Sequence, residues 1–391
     1  MNTTFPTLRP TSDEYTGPPK EWYLGQEWHE RDIEAIFRGR WLLAGHVDEL
    51  EAGAKGHGYL TFSLGGEEVL IRSSEDGEVC AYHNVCPHRG AQLCEGRSGR
   101  TLSSRIVCPY HAWTFSVSDG KLLSARHMHD DFDLAAIGLK PVKVEVWKGL
   151  IFVCLSEEAP PPLPEYFADV TFGGYEFEAM KLATAKSHEI EANWKIVVEN
   201  NVECYHCAVI HPELVDVYDW RITAEPDIEG AMRSRAEGLE VIEAVQESPF
   251  TIKGESVCAI PSPRSDGEAE PPTHAIAWEP GVVVSVSRDF AWLFVPKPLG
   301  PTRTELRQYW LVAKDAEEGR DYELENLKLF WDTTMHQDRG ICEAVQRGIQ
   351  MPAYTPGPLN RIHQIGQAGF YAWYMEQIRQ TFPECVVEGK S

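Results

Sequence analysis

Hydrophobic positions change their period several times along the chain, and the changes divide it. Ile33, Ile36 and Phe37 recur at helical spacing and predict an early helix over 30–40. From Tyr59 the period drops to two. Leu60, Phe62 and Leu64 alternate with polar or smaller residues, and Gly65-Gly66 turns the chain into an apolar run at 69–71. Residues 79–85 read as a further strand. Val142, Val144 and Val146 alternate again before Lys148-Gly149 leads into the apolar run 150–155. About 40–155 therefore reads as a small antiparallel β domain. Residues 156–164 hold four prolines (Pro160, Pro161, Pro162 and Pro164) beside two glutamates, a stiff linker and the main domain boundary. Beyond it, 282–287, 290–295 and 305–312 read as neighbouring strands, and 321–350 and 367–382 as helices. Residues 262–273, rich in Pro, Ser, Gly and acids, read as a mobile loop. Strands followed by helices make the second domain α+β.

Composition narrows the function classes. The chain has 391 residues, 43% of them hydrophobic, enough for two folded domains. A formal net charge of −24 disfavours nucleic acid and anionic membrane surfaces as partners. No apolar run approaches the roughly 18–20 residues that span a bilayer, and residues 1–25 contain no apolar signal core. A cytoplasmic protein is expected, with its ten cysteines reduced or ligating metal.

Two of those cysteines sit in an informative pattern. Cys86-Pro87-His88-Arg89-Gly90 is followed by Cys108-Pro109-Tyr110-His111-Ala112-Trp113, which is C-x-H, 19 residues, then C-x-x-H. Two thiolates and two imidazoles complete two tetrahedral irons bridged by sulfides, and the imidazoles raise the reduction potential relative to an all-cysteine cluster. A structural Cys₂His₂ zinc site is the alternative. Zinc sites, however, more often pair Cys with Cys and His with His, and here each pair is mixed. The motif, with CPHRG and CPYHAW around it, resembles the Rieske [2Fe–2S] domain over about 40–155.

The next dense stretch runs from Asn193-Trp194-Lys195 through Glu199-Asn200-Asn201-Val202-Glu203-Cys204-Tyr205-His206-Cys207 to His211-Pro212. On a helix, Glu203 and His206 would share a face. His206 and His211 are too widely separated on a regular helix to meet, and Pro212 disfavours helical geometry at His211. A helix distorted or ending there brings both imidazoles to one metal. Two histidines and a carboxylate form the facial triad of non-haem Fe(II) oxygenases, which leaves positions open for O₂. Cys204 and Cys207 form a C-x-x-C that lacks the βαβ context of a redox motif, so packed or reduced thiols are expected.

This stretch resembles the signature of the aromatic-ring-hydroxylating oxygenase α subunits, and the resemblance now covers most of the chain. It implies that His206 and His211 are iron ligands and that Glu203 is the carboxylate bridging the two metal sites. Many members carry Asp there. Glu within ENxxECYHC is similar to the subgroup acting on quaternary amines such as glycine betaine, carnitine and proline betaine. The tract Gln337-Asp338-Arg339-Gly340-Ile341-Cys342-Glu343 continuing to Val345-Gln346-Arg347-Gly348 resembles the family's distal segment and implies Asp338 as third ligand. Asp332 and Glu343 lie nearby on the same predicted helix and stay open.

The resemblance implies an α+β chain, an all-β Rieske domain plus a helix-flanked antiparallel sheet. Residues 1–39 would be an N-terminal helical segment packing with the catalytic domain, 40–158 the Rieske domain and 159–391 the mononuclear iron domain. It implies a [2Fe–2S] cluster, Fe(II), O₂, a small-molecule substrate and a separate NAD(P)H-dependent reductase or ferredoxin, since no G-x-G-x-x-G follows a strand here. It also implies a homotrimer in which His111 of one subunit faces Glu203 and His206 of the next. Oxidative N-demethylation or C–N cleavage of a quaternary amine is the expected reaction. Mono- or dioxygenation of an aromatic ring is the alternative, and a bare Rieske electron carrier is opposed by the second metal cluster. Of Trp278, Phe290, Trp292, Phe294, Tyr309 and Trp310, one to three are expected in the substrate pocket and the rest in the core.

Overall fold

The computed structural model describes residues 16–51, 57–158, 160–168, 170, 172–219, 244–246, 248–266, 272–360 and 362–383. The chain forms two compact units, one of residues 38–168 and one of residues 1–37 with 169–391.

The described residues of the first unit form ten short strands: β1 (Leu42–His46), β2 (His57–Leu64), β3 (Glu67–Ser73), β4 (Val79–His83), β5 (Ser98–Thr101), β6 (Ile106–Val107), β7 (Thr114–Phe115), β8 (Leu122–Ser124), β9 (Lys143–Trp147) and β10 (Leu150–Cys154). They form three antiparallel sheets, ordered β4-β3-β2-β5, β1-β10-β9 and β6-β7-β8. The β2–β3 hairpin turns on Gly65 and Gly66, at φ 58° and 81°. Positive φ at both central residues matches the twist of the flanking strands, and glycine adopts it without steric cost. β10 is buried at every position because it is the central strand of its sheet.

Among the described residues, the second unit is a six-stranded antiparallel sheet flanked by helices. Its strands are β11 (Met180–Ile190), β12 (Ala244–Gln246), β13 (Thr273–Trp278), β14 (Val282–Val286), β15 (Ala291–Gly300) and β16 (Arg303–Ala313), in the order β11-β16-β15-β14-β13-β12. β15 contains Pro296 and Pro298, which lack the N–H a central strand needs. Its pairing with β14 ends at Phe294, so both prolines lie where only β16 borders it. The helices that matter for function are Trp194–Asn201, Leu324–Ile349 and Ile365–Thr381. No described helix is long and apolar enough to cross a membrane.

The early helix differs from the expectation of 30–40. An α-helix occupies Gln26–Asp32 and passes into a π-helical turn, Ile33–Phe37. Asp32 at the junction is fully buried and accepts hydrogen bonds from Trp194 Nε1 (2.8 Å), Tyr374 Oη (2.5 Å) and Lys195 Nζ. A buried carboxylate with three donors, one of them charged, is satisfied, and it ties three distant segments together. Strands β11 and β13 were not expected. β11 is buried only at its ends, so its sequence lacks the alternation that marks a strand, and pairing with β16 supplies the order instead. β13 begins at Thr273, where the loop was expected to end, and 267–271 of that loop lie outside the described residues.

Candidate metal centres

In the first unit, the loop after β4 carries Cys86 and His88, and the β6–β7 loop carries Cys108 and His111. The two loops close in the same way. Gly90 N–H donates to Cys86 O and Cys86 N–H to Ala91 O, while Ala112 N–H donates to Cys108 O and Cys108 N–H to Trp113 O. The fourth residue after each cysteine has positive φ, 72° at Gly90 and 57° at Ala112. Each loop thereby buries its cysteine and leaves its histidine exposed. The imidazoles lie 4.9 Å apart between centroids, and each rests on an aromatic ring, His88 on Trp113 (4.4 Å) and His111 on Tyr110 (3.7 Å). Asn84, a residue with no signal in the sequence, pins the first loop. Its Oδ1 accepts from Leu93 and Cys94 N–H, and its Nδ2 donates to Cys94 O.

These four side chains suit a cationic iron cluster. Burial pushes the Cys86 thiol up, the facing Cys108 sulfur pushes it further, and the backbone N–H groups of His88 and Arg89 act in the opposite sense. Two buried sulfurs side by side become thiolates most readily around positive charge, and hydrogen bonds to them help to set a cluster's potential. Cys80, Cys94, Cys154, Cys258 and Cys342 are free thiols raised above their ordinary range by burial, as suits packing residues. Cys385 lies outside the described residues.

In the second unit, the helix Trp194–Asn201 is capped by Asn193, whose side chain accepts from Lys195 N–H. It ends at Asn201, so Glu203 and His206 do not share a helix as the sequence suggested. They meet across the turn that follows, with His206 Nδ1 2.7 Å from Glu203 Oε1. Tyr205 N–H donates to the other oxygen of Glu203. His211 separates two short helices, Cys207–Ile210 and Pro212–Val215, with non-helical φ −121° and ψ 73°. That break swings its ring to 5.2 Å from the His206 ring.

Asp338 comes from the long helix, its Oδ1 2.9 Å from His211 Nε2 and 3.4 Å from His206 Nε2. The two other candidate carboxylates on that helix point elsewhere, because successive residues turn by about 100°. Asp332 takes Lys186 Nζ at 3.0 Å, and Glu343 takes Arg339 Nε at 2.8 Å. Gln337, beside Asp338 and not singled out in the sequence, has its Oε1 2.6 Å from His211 Nδ1. Asn200 Nδ2 is 3.2 Å from His206 Nε2. Both rings thus have their Nδ1–H held by an acceptor, which turns both Nε2 atoms toward Asp338. This is how metal-binding imidazoles are usually oriented.

The electrostatics call for a cation here. Burial alone would lower the pKa of His206, but hydrogen bonds to Asp338 and Glu203 overcome it and raise it to about 9. His211 shifts up in the same way, and Asp338 is held low despite burial by its bonds to the two imidazoles. Positive charge between the imidazoles and the carboxylate is stabilised, and Fe(II) with two His and one Asp is the matching chemistry. Cys207 Sγ lies within 4.8 Å of both imidazole nitrogens. Its sulfur is, however, bonded to Cys204, so no thiolate is offered and the Asp338 carboxylate is the anionic group facing the two imidazoles. This corrects the expectation of reduced thiols. The turn at 203–206 brings the two Cα atoms to 4.9 Å, inside the range a disulfide needs.

A cavity of about 200 Å³ opens beside the triad. Its walls include Tyr218, Phe250, Trp278, Trp292 and Trp331, with the carboxylates of Glu203, Glu279 and Asp338. Trp292 and Trp331 stack in parallel, 3.7 Å between centroids. Of the six aromatics marked in the sequence, Trp278 and Trp292 line this cavity, while Phe290, Phe294, Tyr309 and Trp310 are core. Trp331 was missed because it sits in a helical pattern indistinguishable from core packing.

A family model of the Rieske [2Fe-2S] domain matches residues 40–144, and one for the catalytic domain of ring hydroxylating alpha subunits matches residues 177–380. The chain is 34% identical over 384 residues to the glycine betaine monooxygenase oxygenase subunit of Chromohalobacter salexigens, covering 92% of this chain and 85% of that one. A solved structure of the quaternary ammonium Rieske monooxygenase CntA is 25% identical, with a TM-score of 0.73 over 93% of this chain and 96% of that one. Naphthalene 1,2-dioxygenase from Rhodococcus sp. shares the fold at 21% identity, with a TM-score of 0.63 over 94% and 95% of the two chains. The chain therefore belongs to the Rieske non-haem iron oxygenases, O₂-dependent enzymes with a [2Fe–2S] cluster in the Rieske domain and a mononuclear iron in the ring-hydroxylating-type domain.

Proposed function

We propose that this oxygenase component hydroxylates an N-methyl group of a small quaternary amine. The observation that carries the reading is the cavity itself. It is walled by five aromatic residues and three carboxylates, with no lysine or arginine among its described lining residues. Aromatic faces and carboxylates attract a quaternary ammonium, whereas an aromatic acid finds no counter-charge among those residues. The similarity to a glycine betaine monooxygenase subunit supports the same class.

In this reading Cys86, His88, Cys108 and His111 hold the cluster, and His206, His211 and Asp338 hold the iron. The iron, when bound, supplies O₂ reduction and C–H oxidation with electrons relayed from the cluster. The chain's own residues do the rest. Gln337 and Glu203 keep the proton on Nδ1 of His211 and His206, so that each Nε2 presents a lone pair. The aromatic walls hold the cation and keep water from the reacting methyl group. Overall, R–N⁺(CH₃)₃, O₂, two electrons and two protons give R–N⁺(CH₃)₂–CH₂OH and water. The product then breaks its C–N bond, releasing formaldehyde, a proton and the tertiary amine.

A separate reductase or ferredoxin supplies the electrons in the cytoplasm. The working assembly is a homotrimer, in which Glu203 joins His206 to His111 of the neighbouring subunit. A carboxylate accepting from both ring N–H groups suits that role, and head-to-tail contacts close into rings.

The test is coupled O₂ uptake and formaldehyde release with a surrogate reductase, across betaines, choline and aromatic acids. Formaldehyde in step with O₂ for a quaternary amine is expected. Turnover of aromatic acids alone refutes the reading.

A further inference from the structure

Strand β14 reads Val282-Val283-Val284-Ser285-Val286, with Ser285 the one polar residue among four valines. Side chains of a strand alternate between the two faces of its sheet. Val282, Val284 and Val286 are buried on one face, while Val283 and Ser285 line the cavity on the other. The register sets Ser285 between Ala275 of β13 and Trp292 of β15, and both line the cavity with it. Directly paired residues share a face, so Ala275, Val283 and the Trp292 indole surround the serine on the cavity floor. The strand ladders pair its backbone on both sides, yet among the described residues its hydroxyl takes part in no hydrogen bond. The residue is 5% exposed. Strands border it on both sides and the valine face lies behind it, so the surface it keeps opens on the cavity.

A hydroxyl in apolar surroundings is costly without a partner, whereas alanine or valine in its place would carry no such cost. A ligand that brings an acceptor removes the cost. The fold also says which end of a ligand that is. Trp292, paired with Ser285, stacks on Trp331 of the long helix. Trp331 and the triad's Asp338 line the cavity from the same helix, seven residues apart. At 1.5 Å per residue they are separated by about 10 Å along its axis. Helical side chains tilt toward the helix N-terminus, which carries the Trp331 ring further from Asp338. Ser285 therefore stands at the end of the cavity remote from the triad, about the length of a small amine away from it. We propose that Ser285 is a specificity-determining residue whose hydroxyl donates to an oxygen at the far end of the substrate, a carboxylate or hydroxyl a few bonds from nitrogen, and so turns an N-methyl group toward His206, His211 and Asp338. This rests on the quaternary-amine reading and adds the recognition of the substrate's second end. Ser285 touches the substrate but handles no electron or proton of the reaction, so it governs binding and orientation.

The test pairs each amine with an isostere that keeps the ammonium and replaces oxygen by methyl: glycine betaine with isobutyltrimethylammonium, and choline with propyltrimethylammonium. Dissociation constants are read by titration calorimetry on the holoenzyme. Ser285→Ala extends a floor that already holds Ala275, so cluster spectrum and iron content should stay unchanged. It should weaken glycine betaine by at least about tenfold if the oxygen is a carboxylate, or choline by about three- to tenfold if it is a hydroxyl, because a hydrogen bond to a charged group is worth more than a neutral one. The isosteres should bind as before. Ser285→Cys, with its weak S–H donor, should fall between, and it carries the test if Ser285→Ala does not fold. Equal weakening of amine and isostere means a structural role and overturns the proposal. Unchanged affinity of Ser285→Ala for both oxygen-bearing amines overturns it too, as does a wild-type enzyme that binds the isosteres alone; in these cases the quaternary-amine reading stands. If the wild-type enzyme binds none of the four compounds, that reading fails and takes this proposal with it.

Discussion

Gln337 offers a sharp test of how the iron site is held. Its Oε1 lies 2.6 Å from His211 Nδ1, and the His211 side chain is 1% exposed. Gln337→Leu keeps the bulk but removes the acceptor. The ring N–H is then buried without a partner, which costs about 1–3 kcal/mol. Loss of the group that orients a metal-ligating histidine typically lowers metal affinity by about 10–100-fold. That factor is about 1.4–2.7 kcal/mol, so the desolvation argument and the orientation argument give the same size of effect. The assay is to strip the mononuclear iron anaerobically and titrate Fe(II) back against a competing chelator. The visible circular dichroism of the cluster serves as an internal count of protein. Gln337→Glu restores an acceptor and should recover most of the affinity. A Gln337→Leu protein that binds Fe(II) like the wild type would refute the argument, and so would a Gln337→Glu protein as impaired as Gln337→Leu.

Asp338→Ala should lose mononuclear iron and turnover while the cluster spectrum survives; full activity there, with loss in Asp332→Ala or Glu343→Ala, would reassign the third ligand. Glu203→Gln should leave both metals bound and the cluster reducible but slow its reoxidation by O₂ in single-turnover measurements; wild-type reoxidation would remove the proposed bridge. Burial pushes Glu199 up to about 8, against the hydrogen bonds of Tyr23 and Tyr371, so it is neutral when folded at pH 7. Its folded pKa lies above the unfolded one, so its contribution is full below about pH 4.3 and is lost as pH rises through the folded value of about 8. Glu199→Gln should therefore gain stability relative to wild type as pH rises across that window, read as Tm against pH; parallel curves would contradict this. Ala112→Gly relieves a positive φ of 57° and should stabilise the Rieske unit by about 1 kcal/mol in melts followed by the cluster's absorbance, whereas a lower Tm would mean the methyl group has packing value that outweighs its strain.

Local chemistry made much of both candidate sites legible. C-x-H and C-x-x-H place their candidate ligands within single loops, and both loops take the same closed form. The break at His211 was readable because Pro212 restricts the residue before it. What the sequence hid is set by tertiary contact. The Glu203–His206 contact survives although the helix expected to produce it ends at Asn201. Gln337 carries no signal beyond its place beside Asp338, since an amide on a helix surface looks the same whether or not it meets a histidine. Trp331 and Glu279 share a cavity only after the sheet and the long helix pack, which no period of two or 3.6 records. β11 stayed invisible for a related reason, because its order comes from its neighbour.

The catalytic unit is also discontinuous, closed by residues 1–37 from one end of the chain and 169–391 from the other. Asp32 meets Lys195 across 163 residues and Tyr374 across 342. At a synthesis rate of about 5–20 residues per second, the early segment leaves the ribosome roughly 20–70 s before Tyr374 exists to receive it. Through that interval Trp22, Tyr23, Trp28, Ile36 and Phe37, all buried in the finished fold, have no core to enter. The inserted unit, 38–168, has every strand it needs by residue 154 and can complete itself meanwhile. The early apolar segment is thus exposed during translation for a time set by the 342 residues between Asp32 and Tyr374, the inserted β unit among them, rather than by how stable the folded protein is.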